Sequence, residues 1–459
     1  MKRIGRRAKI LSIVMVYFLA LTGVFLVQYA RGASDWVVSP ANRNIYKNGA
    51  LICPGLVLSA DGIRLFVSDK KGSRWAENKT LRQATLHSVG DIGDRINSGV
   101  VRNYKANFIG YDLPNGVFNP GEKETTITLT LNSALCRKAY EALGNRNGTV
   151  GVMNYKTGEI LCMVSKPTFD PENMPDNTAL NSKAFEGVFI NRLLGGLYVP
   201  GSIFKLITAA AAIDTIPDID SRTFTCKGSV SYGSDKINCM GKHGKINFKQ
   251  ALAKSCNCAF AEIANTLGKE TLTQYAEKAG VLTRFDVSSV QTVRGRLDLS
   301  EAAPVELGWA GIGQFTTLVN PMQYLIFMGA VANHGQPMLP YYVTSVQTGD
   351  GLKQQLKPSG KAEPMLRAAT ADRLAALMRN NVTAQYGESG LKGHGFAGKT
   401  GTAETSDGAP HAWFAGFLQD ADAPLCAVVI LEHGGSGSSN AIPVVRTVLQ
   451  EAIKILEKK

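Results

Sequence analysis

Histidine is scarce in this chain, six residues in 459 at positions 87, 243, 334, 394, 411 and 433, and no Gly-x-Ser-x-Gly segment occurs. A Ser-His-Asp hydrolase elbow is therefore missing, and the histidines read as surface or packing residues. Internal repeats and low-complexity tracts are also absent, which argues against a solenoid or a largely disordered chain. Hydrophobic residues at 44% and charged residues at 19% sit near the average for folded protein, and the length predicts two or three compact units. No RNP-type aromatic motif, zinc-finger spacing or dense basic helix appears, so the formal charge of +13 does not signal a nucleic-acid partner. Five of the positive residues, Lys2, Arg3, Arg6, Arg7 and Lys9, crowd the N-terminus, and a basic surface also suits an anionic membrane or polymer. Eight cysteines are too few for a disulfide scaffold at this length. Cys53, Cys136, Cys162 and Cys426 lie in or beside apolar runs and read as buried free thiols. Cys226 and Cys239 flank a Gly- and Ser-rich hairpin-like segment; they could pair, or join His243 around a metal.

One long hydrophobic run is present. Residues 10–30 carry no formal charge over 21 positions, enough at about 1.5 Å per residue to cross a hydrocarbon core of roughly 30 Å. The basic cluster precedes this run and only Arg31 follows closely, which places the N-terminus in the cytoplasm and the remainder outside. A cleaved signal peptide is the other reading. The run is longer than a usual signal core, and Gln28-Tyr29-Ala30-Arg31-Gly32 is a poor cleavage site, so a retained anchor is favoured.

Beyond the anchor, residues 37–124 carry short apolar runs at 51–58 and 63–67 broken by Gly and charge, as in a small β-rich pedestal. From Thr125 the pattern sharpens into an alternating strand, a helix over 133–143 and a hairpin of 149–153 with 159–164. The run after Lys205, residues 206–213, is apolar on all sides, the mark of a helix buried in a core. Further helices are expected over 247–267, 321–332 and 369–380. Strands follow over 395–403, 412–418 and 425–431, with an amphipathic closing helix over 443–456. Strands at both ends with helices between predict an α+β fold with an antiparallel sheet. The expected units are a basic tail (1–9), an anchor (10–30), the pedestal (31–124) and a C-terminal domain (125–459).

Three short segments carry chemistry. In Pro200-Gly201-Ser202-Ile203-Phe204-Lys205 a serine follows a turn and precedes the buried helix, and residues three apart share a helix face, so Lys205 can lie against the Ser202 hydroxyl. An ammonium among Ile, Phe, Leu and Ala is costly, so the amine tends to neutrality and can take the serine proton. Ser68-Asp69-Lys70-Lys71 has the same spacing without the turn or the buried helix and reads as a solvated loop. Ser255-Cys256-Asn257 lies in an otherwise helical stretch; residues two apart do not share a face, so the helix must break there for both polar side chains to enter one cleft. Ser438-Ser439-Asn440 shows how readily that pattern recurs. Lys399-Thr400-Gly401-Thr402 lies on a strand, with Lys399 offering a fixed positive charge for a carboxylate and Gly401 leaving room for a close backbone approach. Lys156-Thr157-Gly158 occupies a hairpin turn and reads as turn composition.

Ser-x-x-Lys, Ser-x-Asn and Lys-Thr-Gly in this order are the motif set of class A β-lactamases and penicillin-binding proteins. The chain resembles a class B penicillin-binding protein, a single-pass transpeptidase without a glycosyltransferase domain, from roughly Thr125 to the C-terminus. Supporting segments are similar too: Asp170-Pro171, Tyr198-Val199-Pro200, His243-Gly244, Gly311-Ile312-Gly313-Gln314, Asn320-Pro321-Met322-Gln323 and Trp413-Phe414-Ala415-Gly416-Phe417. The resemblance implies a five-stranded antiparallel sheet flanked by helices. It implies acylation of Ser202 by a D-Ala-D-Ala stem peptide or by a β-lactam, with Lys205 as base and Ser255 and Asn257 supporting proton transfer and positioning. Lys399 and Thr400 would bind the terminal carboxylate. Backbone N–H groups of Ser202 and Thr402 would form an oxyanion hole, worth about 3 kcal/mol per donor. No cofactor or metal enters that chemistry. The membrane partner would be a glycan polymerase. The same acyl-enzyme could instead be resolved by water, as in a D,D-carboxypeptidase or β-lactamase, or serve as a β-lactam sensor; an inactive scaffold is the remaining alternative. One departure stands out: the segment 53–62 keeps only the outline of the family's Arg-Gly-x-Ile-x-Asp-Arg-Asn-Gly-like stretch.

Overall fold

The computed structural model describes residues 2–39, 46–47, 50–51, 53–112, 116–117, 123–349, 351–358 and 362–458. Ile52, within the first expected apolar run, lies outside them. The chain begins with the helix Lys2–Val37. Among the described residues one stretch, Arg3–Ala33, is long and apolar enough to cross a membrane, and its most apolar window has no buried residue.

The N-terminal unit is built on a six-stranded sheet in the order Lys353–Gln355, Val343–Gln347, Thr125–Leu129, Gly55–Leu58, Arg64–Asp69, Gly72–Trp75. Gly55–Leu58 and Thr125–Leu129 run parallel, with Val57 opposite Ile127, and the other pairs are antiparallel. The strand from Thr125, expected to open the C-terminal domain, therefore belongs to this sheet, and two later strands return to it. Alternation shows that Thr125, Ile127 and Leu129 face a core, but periodicity cannot show which sheet receives them. The unit is also less purely β than expected: of its short helices, Lys105–Phe108 packs on the sheet, Val100–Asn103 lies beside it, and Lys79–Ala84 and Leu86–Val89 pack against Ser133–Leu143 and Ile160–Lys166 of the other unit. Ser68 lies on the strand Arg64–Asp69 and donates to the Cys53 carbonyl, while Lys71 is exposed, so the second Ser-x-x-Lys match builds no site.

The C-terminal unit contains a five-stranded antiparallel sheet in the order Ile160–Lys166, Gly148–Asn154, Leu425–Leu431, His411–Phe417, Ala397–Ala403. The turn of its first hairpin holds Lys156-Thr157-Gly158, where the Asn154 side chain accepts from the Lys156 and Thr157 N–H groups. Leu425–Leu431 is buried at every position because both faces of the sheet are covered, which accounts for its unbroken apolar sequence. Ser133–Leu143 and Ile442–Leu456 pack together against the sheet, and Pro321–Ala332 packs on it beside Ala368–Asn381. Asn320 caps Pro321–Ala332 in a capping box with Gln323 and also donates to the carbonyls of Leu194 and Gly196, which anchors the segment leading to Ser202. The expected helix over 247–267 is two helices, Phe248–Ala253 and Asn257–Lys278, and the break falls at Ser255.

Candidate active site

Ser202 sits in a 3-10 turn, Gly201–Ile203, immediately before the helix Lys205–Thr215, rather than in that helix's own first turn. The turn lies against the edge strand Ala397–Ala403. Gly201 has φ +54, and a Cβ there would lie 2.6 Å from the Thr402 carbonyl oxygen. From the other side, a Cβ on Gly401 would lie 2.9 Å from the Pro200 carbonyl oxygen and 3.1 Å from Ile203 Cγ2. Only a strand without a side chain at 401 comes this close to the serine turn. Gly401→Ala is accordingly expected to slow penicillin acylation about tenfold or more through displacement of the strand, measured as the acylation rate constant with circular dichroism unchanged. A wild-type rate would show that the close approach is dispensable.

Lys205 is fully buried in the apolar helix, and its amine donates to the Ser255 carbonyl at 2.7 Å, Ser255 Oγ at 3.1 Å and Asn257 Oδ1 at 2.6 Å. Ser255 adopts φ +53, a left-handed conformation uncommon outside glycine, and this is how the chain breaks the helix and turns Ser255 and Asn257 toward one amine. The second fully buried lysine, Lys399, reaches the same hydroxyl from the sheet, donating to Ser255 Oγ at 3.0 Å and to the Thr400 carbonyl at 2.9 Å. Ser255 Oγ thus joins two buried amines. Desolvation, followed by the nearby Lys399 charge, holds the Lys205 pKa well below that of an ordinary lysine. Burial alone brings Lys399 down to about 7, so its positive charge is conditional at neutral pH and not the fixed charge expected from sequence. Among the described residues Ser202 Oγ makes no hydrogen bond.

The remaining motif residues do not all enter this network. Thr400 Oγ1 donates to the Tyr386 hydroxyl at 3.0 Å, on the other face of the strand from Lys399, and Thr402 Oγ1 accepts from Gly437 N at 3.4 Å. Ala397–Ala403 ends the sheet, so one row of its backbone groups is outside the ladder, on the side where the serine turn packs.

Several side chains to which sequence reasoning gave no task hold this arrangement, among them Trp413 and Tyr198 of the family-like segments. Trp413 Nε1 donates to the Val199 carbonyl at 3.0 Å, pinning the serine turn to the sheet. Tyr198 donates to Glu432 Oε1 at 2.6 Å, and the same carboxylate takes Arg192 Nε at 2.7 Å. Tyr386 carries no motif of its own, and no local pattern points to it. Gly201 N donates to the Gly313 carbonyl at 2.9 Å, and Thr208 Oγ1 to that of Gly311 at 2.7 Å, which gives the Gly311–Gln314 segment a concrete task.

Cys226 and Cys239 are free thiols, as are the other six cysteines. They do not pair with each other. Instead they converge with Cys256 and His243 directly behind Ser255 and Asn257.

The transpeptidase domain model of penicillin-binding proteins matches residues 148–450. The chain is 28% identical over 376 residues to the peptidoglycan D,D-transpeptidase PbpA of Mycolicibacterium smegmatis, covering 73% of each. It is 27% identical over 466 residues to stage V sporulation protein D of Bacillus subtilis, covering 93% of this chain and 70% of the relative. In fold it is similar to penicillin-binding protein A of M. tuberculosis in its ceftriaxone acyl-enzyme complex, with a TM-score of 0.76 at 21% identity, covering 87% of this chain and 98% of the other.

Proposed function

Because the chain belongs to the penicillin-binding protein transpeptidase family, we propose that Ser202 is the nucleophile of a peptidoglycan D,D-transpeptidase, acylated by D-Ala-D-Ala stem peptides and by β-lactams. The observation that carries this reading is the pair of buried amines, Lys205 and Lys399, sharing Ser255 Oγ beside the serine turn. A neutral Lys205 takes the Ser202 proton as Oγ attacks the penultimate D-Ala carbonyl. Ser255, bonded to both amines, is placed to relay that proton to the leaving D-Ala nitrogen. Asn257 holds the Lys205 amine in place through Oδ1. The backbone N–H groups of Ser202 and Thr402 stabilise the oxyanion, a role supported by the edge position of Ala397–Ala403. Lys399 meets the substrate carboxylate, whose charge restores the proton that burial disfavours; Thr400 joins it only if its hydroxyl leaves Tyr386. An amine of a second stem peptide then attacks the acyl-enzyme, forming the cross-link and freeing Ser202.

The pH dependence follows from Lys399. A lysine with a pKa of about 7 is charged below that pH and neutral above it, so carboxylate binding weakens as pH rises. Acylation efficiency toward a carboxylate-bearing penicillin is expected to fall on the alkaline side with a midpoint of about 7. In Lys399→Arg, whose guanidinium stays charged, that limb should vanish; a limb that persists belongs to another group.

The helix Lys2–Val37 supplies a single-pass membrane anchor. In this reading residues 1–9 are cytoplasmic, 10–30 cross the membrane, and the pedestal (31–124) and the transpeptidase domain (125–459) lie outside, oriented by the N-terminal basic cluster. The strand Thr125–Leu129 and the return at 343–355 join the pedestal's six-stranded sheet, and in this reading the pedestal docks a glycan polymerase. The test of the reaction is incubation of the full-length protein in detergent with a pentapeptide donor and an amino acceptor. Cross-linked dimer with release of D-Ala is expected, whereas tetrapeptide alone would make the protein a carboxypeptidase.

A further inference from the structure

Behind the Ser255-Asn257 break, three stretches of chain bring sulfur and imidazole to one point. Cys226 ends the strand Thr223–Cys226, Cys239 follows the strand Asp235–Asn238, His243 precedes the strand Gly244–Asn247, and Cys256 caps the helix Asn257–Lys278. Their Sγ and imidazole nitrogen atoms all lie within 4.8 Å of one another. Cys239 Sγ stands 3.6 Å from His243 Nδ1 and 3.9 Å from Cys256 Sγ. Tetrahedral coordination with Zn–S of about 2.3 Å and Zn–N of about 2.0–2.1 Å sets ligand separations of about 3.8 Å between sulfurs and about 3.6 Å between sulfur and nitrogen. The two edges at Cys239 match these values, and the remaining separations stay within 4.8 Å. A disulfide needs about 2.05 Å between sulfurs and leaves the imidazole without a part. Asn257 N also donates to Cys239 Sγ at 3.3 Å, the kind of N–H contact that a metal-bound thiolate accepts.

We propose that Cys226, Cys239, His243 and Cys256 bind one structural zinc ion that fixes the Ser255-Asn257 turn against Lys205. Four protein ligands close a tetrahedral site, so the ion would be structural and would take no substrate. Its position is informative: Cys256 lies between Ser255 and Asn257, and Asn257 Nδ2 donates to the carbonyl of Asn238, next to Cys239. The ion would clamp the hairpin of Ser229–Tyr232 with Asp235–Asn238 to the turn whose backbone and side chains hold the Lys205 amine. These four are positioning residues, and their effect on acylation rests on the reading of Ser202 given above, whereas metal binding does not.

The test is elemental analysis of the full-length protein in detergent, purified without metal-affinity steps. About one zinc per chain is expected. It should also be present in Ser202→Ala, and in Cys53→Ser, whose thiol lies in the N-terminal unit, and be lost from Cys239→Ser and His243→Ala. Because those variants could misfold, the wild-type protein is also stripped and refilled with cobalt(II), where intense thiolate-to-cobalt charge transfer with tetrahedral d–d bands is expected. Zinc removal should slow penicillin acylation about tenfold and its return should restore the rate. Metal-free protein with alkylatable thiols at Cys226, Cys239 and Cys256, or with any two of these joined in a disulfide, would overturn the proposal. So would zinc that survives both ligand substitutions.

Discussion

Lys205→Arg is expected to slow acylation of Ser202 by about 10³-fold, within the range that general-base catalysis contributes. The amine lies in an apolar helix with three oxygen acceptors around it, and both burial and Lys399 favour its neutral form. A guanidinium keeps its charge under all working conditions and has no lone pair to take the serine proton. The measurement is the rate constant for covalent labelling by a fluorescent penicillin, with thermal melting to show that the larger side chain is accommodated. Near-normal labelling in a folded variant would remove Lys205 from the role of base.

Lys399→Ala is the second large effect, with two parts. Loss of a charge-assisted contact to the carboxylate, worth about 1.5–3 kcal/mol, should weaken penicillin binding before acylation by about 10- to 150-fold. Lys399 also lowers the pKa of Lys205 by its proximity. Removing that positive charge raises the Lys205 pKa, so the acidic limb of the acylation profile should move to higher pH. The two parts separate in a full concentration series at several pH values. An unchanged apparent dissociation constant with only a slower limiting rate would place Lys399 in proton transfer and not in carboxylate recognition.

Much of this was legible in the sequence because local chemistry and periodicity sufficed. The three C-terminal strands and the closing helix appear where strand-like runs and amphipathicity place them. The need for a helix break between Ser255 and Asn257 follows from spacing alone, and φ +53 at Ser255 is how the chain meets it. What stayed hidden depends on distance in three dimensions. The strand from Thr125 has a clear inward face, but its partners lie at 55–58 and 343–347, far away in sequence. Lys399 could be placed on a strand, yet its contact with Ser255 Oγ, and the burial that makes its charge conditional, arise only when the sheet edge meets the helix break. Cys226 and Cys239 read as a possible pair or, with His243, as part of a metal site, but the convergence of Cys256 on them requires the same break.

The most direct test of the account is intact mass spectrometry of the full-length protein with and without penicillin, beside Ser202→Ala. A stoichiometric adduct that maps to Ser202 and is absent from the variant is the predicted result. Folded wild-type protein that gains no adduct, or an adduct that persists in Ser202→Ala, would contradict it.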